Sequence, residues 1–551
     1  MQVLLVCAAS SACGGHNSLI RKRESGLSRV WVKTMIQFLE KVTTINDAVN
    51  SFIWGYPGVL LLIGTGILMT LLTGVFQIVH LPHWVKKTIG GMLAKESHDK
   101  SDKSSISQFQ ALCTALSATI GTGNIAGVAS AICVGGAGAV FWMWVAAFFG
   151  MMTNYSENVL GIFFRRKNSA NEWSGGAMYY LRDGLGGYKN CKTLGRVLAV
   201  IFSCFAILAS FGIGNMGQVN KIVVNMENAF FSVLNLPKLY GNVTIATILL
   251  GLGLMLLGSL IIVGGLKRVA SFAEAVVPFM ALAYVIGSLF IIICNAPRIP
   301  EAFLSIFKCA FGIKAVAGGA AGVAIKTVIK QGCKRGVFSN EAGLGSSVMV
   351  HSNSNVKEPV KQGMWGIFEV FADTFVVCTM TALVVLTSNY IDLSTGMAKE
   401  GVDDATLVAD AFADGFGRLG SVFAPVGRGF IAIAILLFAF TTVLGWSHYG
   451  SKSVEYLFGI KAAKIYRIIF SICIVSGALL TSSLAWDISD TFNGLMMVPN
   501  LIGVIALSPL VARLTKNYVK RKLKGQDIEP MVSYDPEIQK AHAEEIKHGA
   551  E

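Results

Sequence analysis

The sequence predicts an all-α polytopic membrane protein of about eleven transmembrane helices. Three observations carry that expectation. Of 551 residues, 53% are hydrophobic and only 14% charged, against roughly 25% charged in ordinary soluble domains, and the mean hydropathy is +0.60. Apolar runs long enough to cross a hydrocarbon core of roughly 30 Å follow one another through most of the chain. Lysines and arginines collect in alternate loops between those runs. The formal net charge of +14 therefore reads as orientation in a bilayer and not as a nucleic-acid surface.

Residues 1–34 are expected to be an N-terminal extension, disordered or upstream of the natural start. Their apolar stretch is short, and Arg21, Lys22 and Arg23 follow it, where a signal peptide has its cations first. Met35 opens an amphipathic stretch that runs into the first span, so the transmembrane domain is set at 35–515. Its spans are placed at 54–78, 108–133, 137–163, 197–228, 243–265, 269–294, 302–333, 363–389, 425–449, 466–484 and 486–512. The segment 516–551 is charged and poor in apolar residues, and is expected to be a solvated cytoplasmic tail.

Counting cations orients these spans. Lys86, Lys87, Arg165, Arg166, Lys267, Arg268, Lys334, Arg335, Lys452, Lys464 and the cations of the tail fall on one side, whereas the opposite loops hold Lys238, Arg298, Lys399 and Arg418. The positive-inside rule then puts the C-terminus in the cytoplasm and the N-terminus outside a cell membrane.

Two spans carry helix breakers. Gly121-Thr122-Gly123-Asn124 interrupts the second near its middle, and Gly318-Gly319-Ala320-Ala321-Gly322 interrupts the seventh. In hydrocarbon, unwound backbone is tolerated only where it lines a protein-walled or watery cavity. Polar residues beside glycine recur in the fourth span, at Asn215 and Gln218 after Gly212 and Gly214, and in the ninth, at Thr441 and Thr442 before Gly445-Trp446. For each place alone, helix packing through small residues explains the pattern as well as binding does. A broken helix offers free carbonyls at one half-end and free N–H groups at the other. Neutral oxygens suit sodium and the N–H end suits a carboxylate, so this chemistry predicts a small carboxylate-bearing solute moving with sodium.

Enzyme chemistry is not expected. No GxSxG or phosphate-loop motif is present, the eleven cysteines are scattered singly, and seven of the eight histidines lie outside the apolar spans. His448, on an apolar helix, is expected to make an interhelical hydrogen bond. Glu157, Glu369 and Asp373 are placed near the cytoplasmic ends of their spans, snorkelling or paired with Arg165, Lys361 or Arg335, and not at the coupling site.

The run GGAGAVFWMWVAAFFG at 135–150 resembles the signature of the sodium:alanine (alanine or glycine:cation) symporter family. The resemblance extends to GTGNIAG at 121–127, GGAMYYL at 175–181, RGVFSNEAGLGS at 335–346, ADTFVVCTMTA at 372–382 and TTVLGWSHYG at 441–450. Members usually have proline where Ala177 stands, and Ser347-Val348-Met349-Val350 departs from a smaller, proline-containing stretch. The resemblance implies a LeuT-type core of two inverted five-helix repeats in spans two to eleven, with span one added. By the same resemblance, the broken second and seventh spans pair, and sodium lies between spans two and nine. Its ligands would be the carbonyls of Ser117 and Ile120 and the hydroxyls of Thr441 and Thr442. Substrate would meet Thr122, Gly123, Asn124, Gln218 and Trp446.

The function implied is sodium-coupled symport of a small neutral amino acid, alanine or glycine, into the cell by alternating access. Sodium is then co-transported cargo, with no organic cofactor, no nucleic acid and no obligatory protein partner; the bilayer is the remaining partner. One sodium entering down about 100 mV gains roughly 2.3 kcal/mol, and a tenfold gradient adds about 1.4 kcal/mol. Together they support accumulation of several hundredfold. Proton-coupled or exchange transport on the same fold is the alternative, with an amino-acid-binding membrane sensor behind it.

Overall fold

Backbone groups in hydrocarbon have to be bonded within their own segment, and long helices meet that demand. The computed structural model describes residues 26–92, 94, 98–99, 104–231, 237–240, 243–311, 325–480 and 483–547. In chain order the helices that frame the bundle are α1 (Gly26–Ile53), α2 (Tyr56–Leu72), α3 (Gln108–Thr119), α4 (Val128–Gly135), α5 (Gly138–Phe163), α6 (Lys192–Phe211), α7 (Gly217–Met226), α8 (Ile245–Ile262) and α9 (Leu266–Cys294). They continue as α10 (Ile299–Ala310), α11 (Ile325–Asn340), α12 (Val348–His351), α13 (Pro359–Val370), α14 (Thr379–Thr387), α15 (Leu407–Gly417), α16 (Ala424–Leu479), α17 (Ser483–Ala506), α18 (Ser508–Lys522) and α19 (Pro536–Lys547). Among the described residues seven helices are long and apolar enough to cross a membrane, or eight with the pair α3 and α4, whose halves meet at 51°. α16 covers two of the expected spans, because the chain turns within it at Gly459 (φ 83°).

Local chemistry sets the helix ends. Ser107 and Gln110 form a reciprocal capping box that starts α3, and Pro359 occupies the first turn of α13, where its missing N–H costs nothing. Three spans widen into π-helical turns, at Gly123–Gly127 before α4, Gly212–Met216 between α6 and α7, and Phe371–Cys378 between α13 and α14. Such turns appear often at functional sites. Packing brings them to one place: α5 lies against α11 and α13, α16 lies against α6, α7 and α8, and the turns at 123–127 and 371–378 touch each other. Small residues allow the closest crossing, since a side chain on Gly445 would put its Cβ 2.7 Å from that of Ala118.

The seventh span departs from expectation. Its expected breakers, Gly318 to Gly322, lie outside the described residues. α10 packs on the first turns of α5, where Trp142 Nε1 donates to the Ala310 carbonyl at 3.0 Å and Gly138 leaves no room for a side chain beside Cys309. α11 follows and ends at Asn340; the chain then leaves helical geometry with Glu341, Gly343 and Gly345 at φ of 55°, 92° and 72°, and resumes as α12. A broken element therefore lies at 325–351. Lys334 and Arg335 move with it to the opposite end of the bundle, where Lys334 pairs with Asp490 near the start of α17 at 2.5 Å.

The tail is also ordered differently. The Tyr534 N–H donates to the Phe163 carbonyl at 2.9 Å, its ring lies 5.1 Å from that of Phe164, and Lys357 pairs with Glu545 at 2.9 Å. Gln539 Oε1 accepts from the N–H groups of Val532 and Ser533. These contacts dock a segment expected to be solvated.

Candidate substrate and cation site

α3 ends because its last donors turn to side chains. The Gly121 N–H donates to Asn124 Oδ1 at 2.9 Å, and the N–H and hydroxyl of Thr122 donate to Gln218 Oε1 at 3.4 and 2.9 Å. In a continuing helix those two N–H groups would serve the carbonyls of Ser117 and Ala118, so the break frees oxygen on this half-helix. Ile120, at ψ 89°, carries the chain out of helix. Thr442 stands opposite: a Cβ on Gly121 would lie 2.5 Å from its hydroxyl oxygen. That hydroxyl donates to the Phe438 carbonyl at 2.9 Å, which leaves its lone pairs as acceptors facing the break. Thr441 also donates to Phe438 at 2.9 Å, but its oxygen approaches Met280 Sδ at 3.7 Å and so turns toward α9.

The remaining predicted residues form the walls. Gln218 holds itself by donating from Nε2 to the Ile213 carbonyl at 3.2 Å. Trp446 is buried against Gly214, where a Cβ would come within 2.4 Å of it, and its Nε1 donates to Glu341 Oε1 at 2.9 Å. Gly123 meets Phe338 and Ser339 of α11. The break at Gly121 to Asn124 thus faces the end of α11, and Trp446 ties the ninth span to the second break at 341–347.

With that geometry in place, comparison with known proteins is decisive. A family model described as the sodium:alanine symporter family matches residues 39–532. The chain belongs to the sodium:alanine symporter family. It is 41% identical over 481 residues, 87% of this chain and 98% of the relative, to a sodium/alanine symporter of Methanococcus maripaludis, AgcS. It is also 35% identical, over 90% of this chain and 93% of the relative, to a probable sodium/glutamine symporter of Bacillus subtilis, GlnT. Among solved structures, MhsT in complex with L-phenylalanine superposes with a TM-score of 0.50 at 14% identity, covering 76% of this chain and 99% of that one. The protein is a multi-pass membrane transporter of LeuT-type fold, and not an enzyme.

In this symporter family member the acids are placed otherwise than expected. Asp373 is fully buried beside the break: Asn124 Nδ2 donates to its Oδ1 at 2.6 Å, and the hydroxyls of Ser339 and Thr374 donate to its Oδ2 at 2.8 Å each. Glu369 accepts from Asn154 at 3.0 Å and meets His351 at 3.0 Å, while Glu157 bonds Asn500. Arg165, named as a partner for them, donates to the carbonyls of Ser352, Ser354 and Val356. Asp373, Glu341 and Ser339 border the two breaks and were left out of the candidate site by sequence reasoning. Their available signal was the FSNEAG and ADT motifs, which carry polar groups inside spans. Ser347 to Val350, where the sequence departs from the usual family stretch, follow directly on the second break. From Thr122, a cavity of about 410 Å³ lined by Phe338, Lys334, Arg335 and Asp490 reaches Asp404 of the 390–420 loop.

Proposed function

We propose that this transporter moves alanine, glycine or a similarly small neutral amino acid into the cell together with sodium. In this reading Thr122, Gly123, Asn124, Gln218 and Trp446 contact the amino acid, and Ser117, Ile120, Thr441 and Thr442 supply oxygens to sodium. The observation that carries it is the diversion of the Gly121 and Thr122 N–H groups to Asn124 and Gln218, which frees half-helix carbonyls across from the Thr442 hydroxyl. Neutral oxygens from backbone and hydroxyl meet a hard monovalent cation without a fixed counter-charge. The names of relatives that couple sodium to alanine or glutamine support the same class of cargo. With the C-terminus cytoplasmic, the cavity above Thr122 opens outward.

The test is uptake of labelled alanine into liposomes holding the purified protein, with sodium and proton gradients imposed separately. Sodium-driven accumulation is expected; uptake indifferent to sodium ends the proposal. Proton coupling is the second reading. It gains from Asp373, a titratable group hydrogen-bonded to Asn124 at 2.6 Å, where the sequence reading found none beside the site. The same liposomes decide it, through uptake driven by a proton gradient alone.

A further inference from the structure

A second cavity, of about 380 Å³, lies at the end of the bundle that carries the tail, between the turn joining α8 to α9 and the turn within α16. Lys267, Lys452, Lys464 and Arg467 line it, against Glu172 and Glu455. The acids offset only part of it: Glu455 is paired with Lys452 at 3.0 Å and accepts from Asn168 and Ser174 at 3.0 Å each, so Lys267, Lys464 and Arg467 outnumber the remaining acid, Glu172. Two buried ring or guanidinium nitrogens in this lining, His448 Nε2 and Arg467 Nε, have no hydrogen-bond partner among the described residues. His448 is only 6% exposed and its other side is turned to the Met349 carbonyl, so Nε2 is the ring atom left to meet a ligand. Gly265, at φ 76°, gives the guanidinium its space, since a Cβ there would lie 2.6 Å from Arg467 Nη1. Buried groups of this kind are rarely left without a partner.

The surroundings say where the partner comes from. Leu256 and Leu260 on α8, Val263 just after it, and Ile465, Ile468 and Ile472 on α16 are exposed large apolar side chains. Gly258 of α8 packs against Ile474 of α16, so those two helices run side by side above the cavity. A basic recess with lipid-facing apolar walls matches a phosphate head with two acyl chains. We infer that this recess is a binding site for the phosphate-bearing headgroup of an anionic phospholipid, seated on Lys464, Arg467 and His448 with its chains along α8 and α16. The headgroup ties the Gly264–Gly265 turn to the Gly459 turn, next to the Lys452–Glu455 pair that joins the ninth span to the 166–174 hairpin.

Native mass spectrometry of the full-length protein tests this, titrated with phosphatidylglycerol, with phosphatidylcholine and with inorganic phosphate. Retained phosphatidylglycerol, displaced by phosphate, with phosphatidylcholine lost is the expected result. The double variant Lys464→Gln, Arg467→Gln should bind phosphatidylglycerol about thirtyfold more weakly, the combined effect of two cations at an anionic lipid. Arg467→Lys, which keeps the charge, should retain most of the binding and guards against a folding defect in the double variant. Equal retention of phosphatidylcholine, unchanged binding in a folded double variant, or binding of phosphate without any lipid preference would overturn the inference.

Discussion

Replacing Thr442 by valine removes one oxygen from the proposed cation site and keeps the shape of the side chain. The hydroxyl proton is already committed to the Phe438 carbonyl at 2.9 Å, so what valine deletes is acceptor capacity facing Gly121. That oxygen sits where a Cβ on Gly121 would be only 2.5 Å away, in contact with the broken backbone. An interaction of this kind with a charged partner contributes about 1.5–3 kcal/mol, which converts to sodium binding weakened about ten- to 150-fold. Alanine uptake into liposomes at fixed membrane potential, measured as a function of sodium, reads this as a rise in the half-saturating sodium concentration. Uptake at saturating sodium should change far less, because the proposed substrate contacts at Asn124, Gln218 and Trp446 are untouched. An unaltered sodium dependence in Thr442→Val refutes the assignment. So does a shift confined to Thr441→Val, which would move the cation toward Met280.

Asn124→Ala should abolish uptake while leaving the protein folded and inserted: the Gly121 N–H and the Asp373 carboxylate each lose a partner, at about 1–3 kcal/mol per buried group. Uptake at the wild-type rate would show that Asn124 does not hold the break. Gly214→Ala drives a Cβ to 2.4 Å from Trp446 and should cost about 1–3 kcal/mol of stability, with transport lost through displacement of Trp446 from Glu341; a thermal melt and an uptake assay together check it. Tail docking should weaken as pH falls from about 6.5 toward 4. Burial, then the Arg165 charge, lowers the His542 pKa to about 4, so the undocked tail binds more protons across that window. Hydrogen exchange over residues 536–547 should rise on acidification, and His542→Phe should remove the dependence.

The break in the second span was legible because it combines glycine, which leaves a helix at little cost, with an amide placed to take up the freed N–H. A further break, at 341–347, also combines glycine with polar side chains. Asn340, Glu341 and Ser346 surround it and take up its polar groups. The depth of the acids was misjudged for a simpler reason. Hydropathy started the eighth span at 363, but α13 begins at Pro359, and Asp373 lies fourteen residues further on, about 21 Å along the helix axis. A carboxylate at that depth cannot snorkel to the surface, so it sits among Asn124, Ser339 and Thr374. Cation counting grouped Lys334 and Arg335 with the cytoplasmic loops, whereas both lie within α11 and Lys334 pairs with Asp490 near the start of α17.

What no single span could reveal is that the irregularities answer one another. In hydrocarbon each freed backbone group or buried carboxylate costs several kcal/mol unless it is bonded, so isolated breaks scattered over many spans would be ruinous. Here the Thr122 N–H freed in the second span is taken by Gln218 of the fourth, and Asp373 in the π turn of the eighth is taken by Asn124 of the second and Ser339 of the seventh. Glu341 in the second break is taken by Trp446 of the ninth. Five spans therefore depend on one depth of the bundle for their polar satisfaction. A displacement of the second span changes the bonding of the fourth, seventh and eighth together, and the ninth follows through Glu341. Such mutual dependence favours a few discrete arrangements over continuous deformation, which is the behaviour that alternating access requires of a site between two gates.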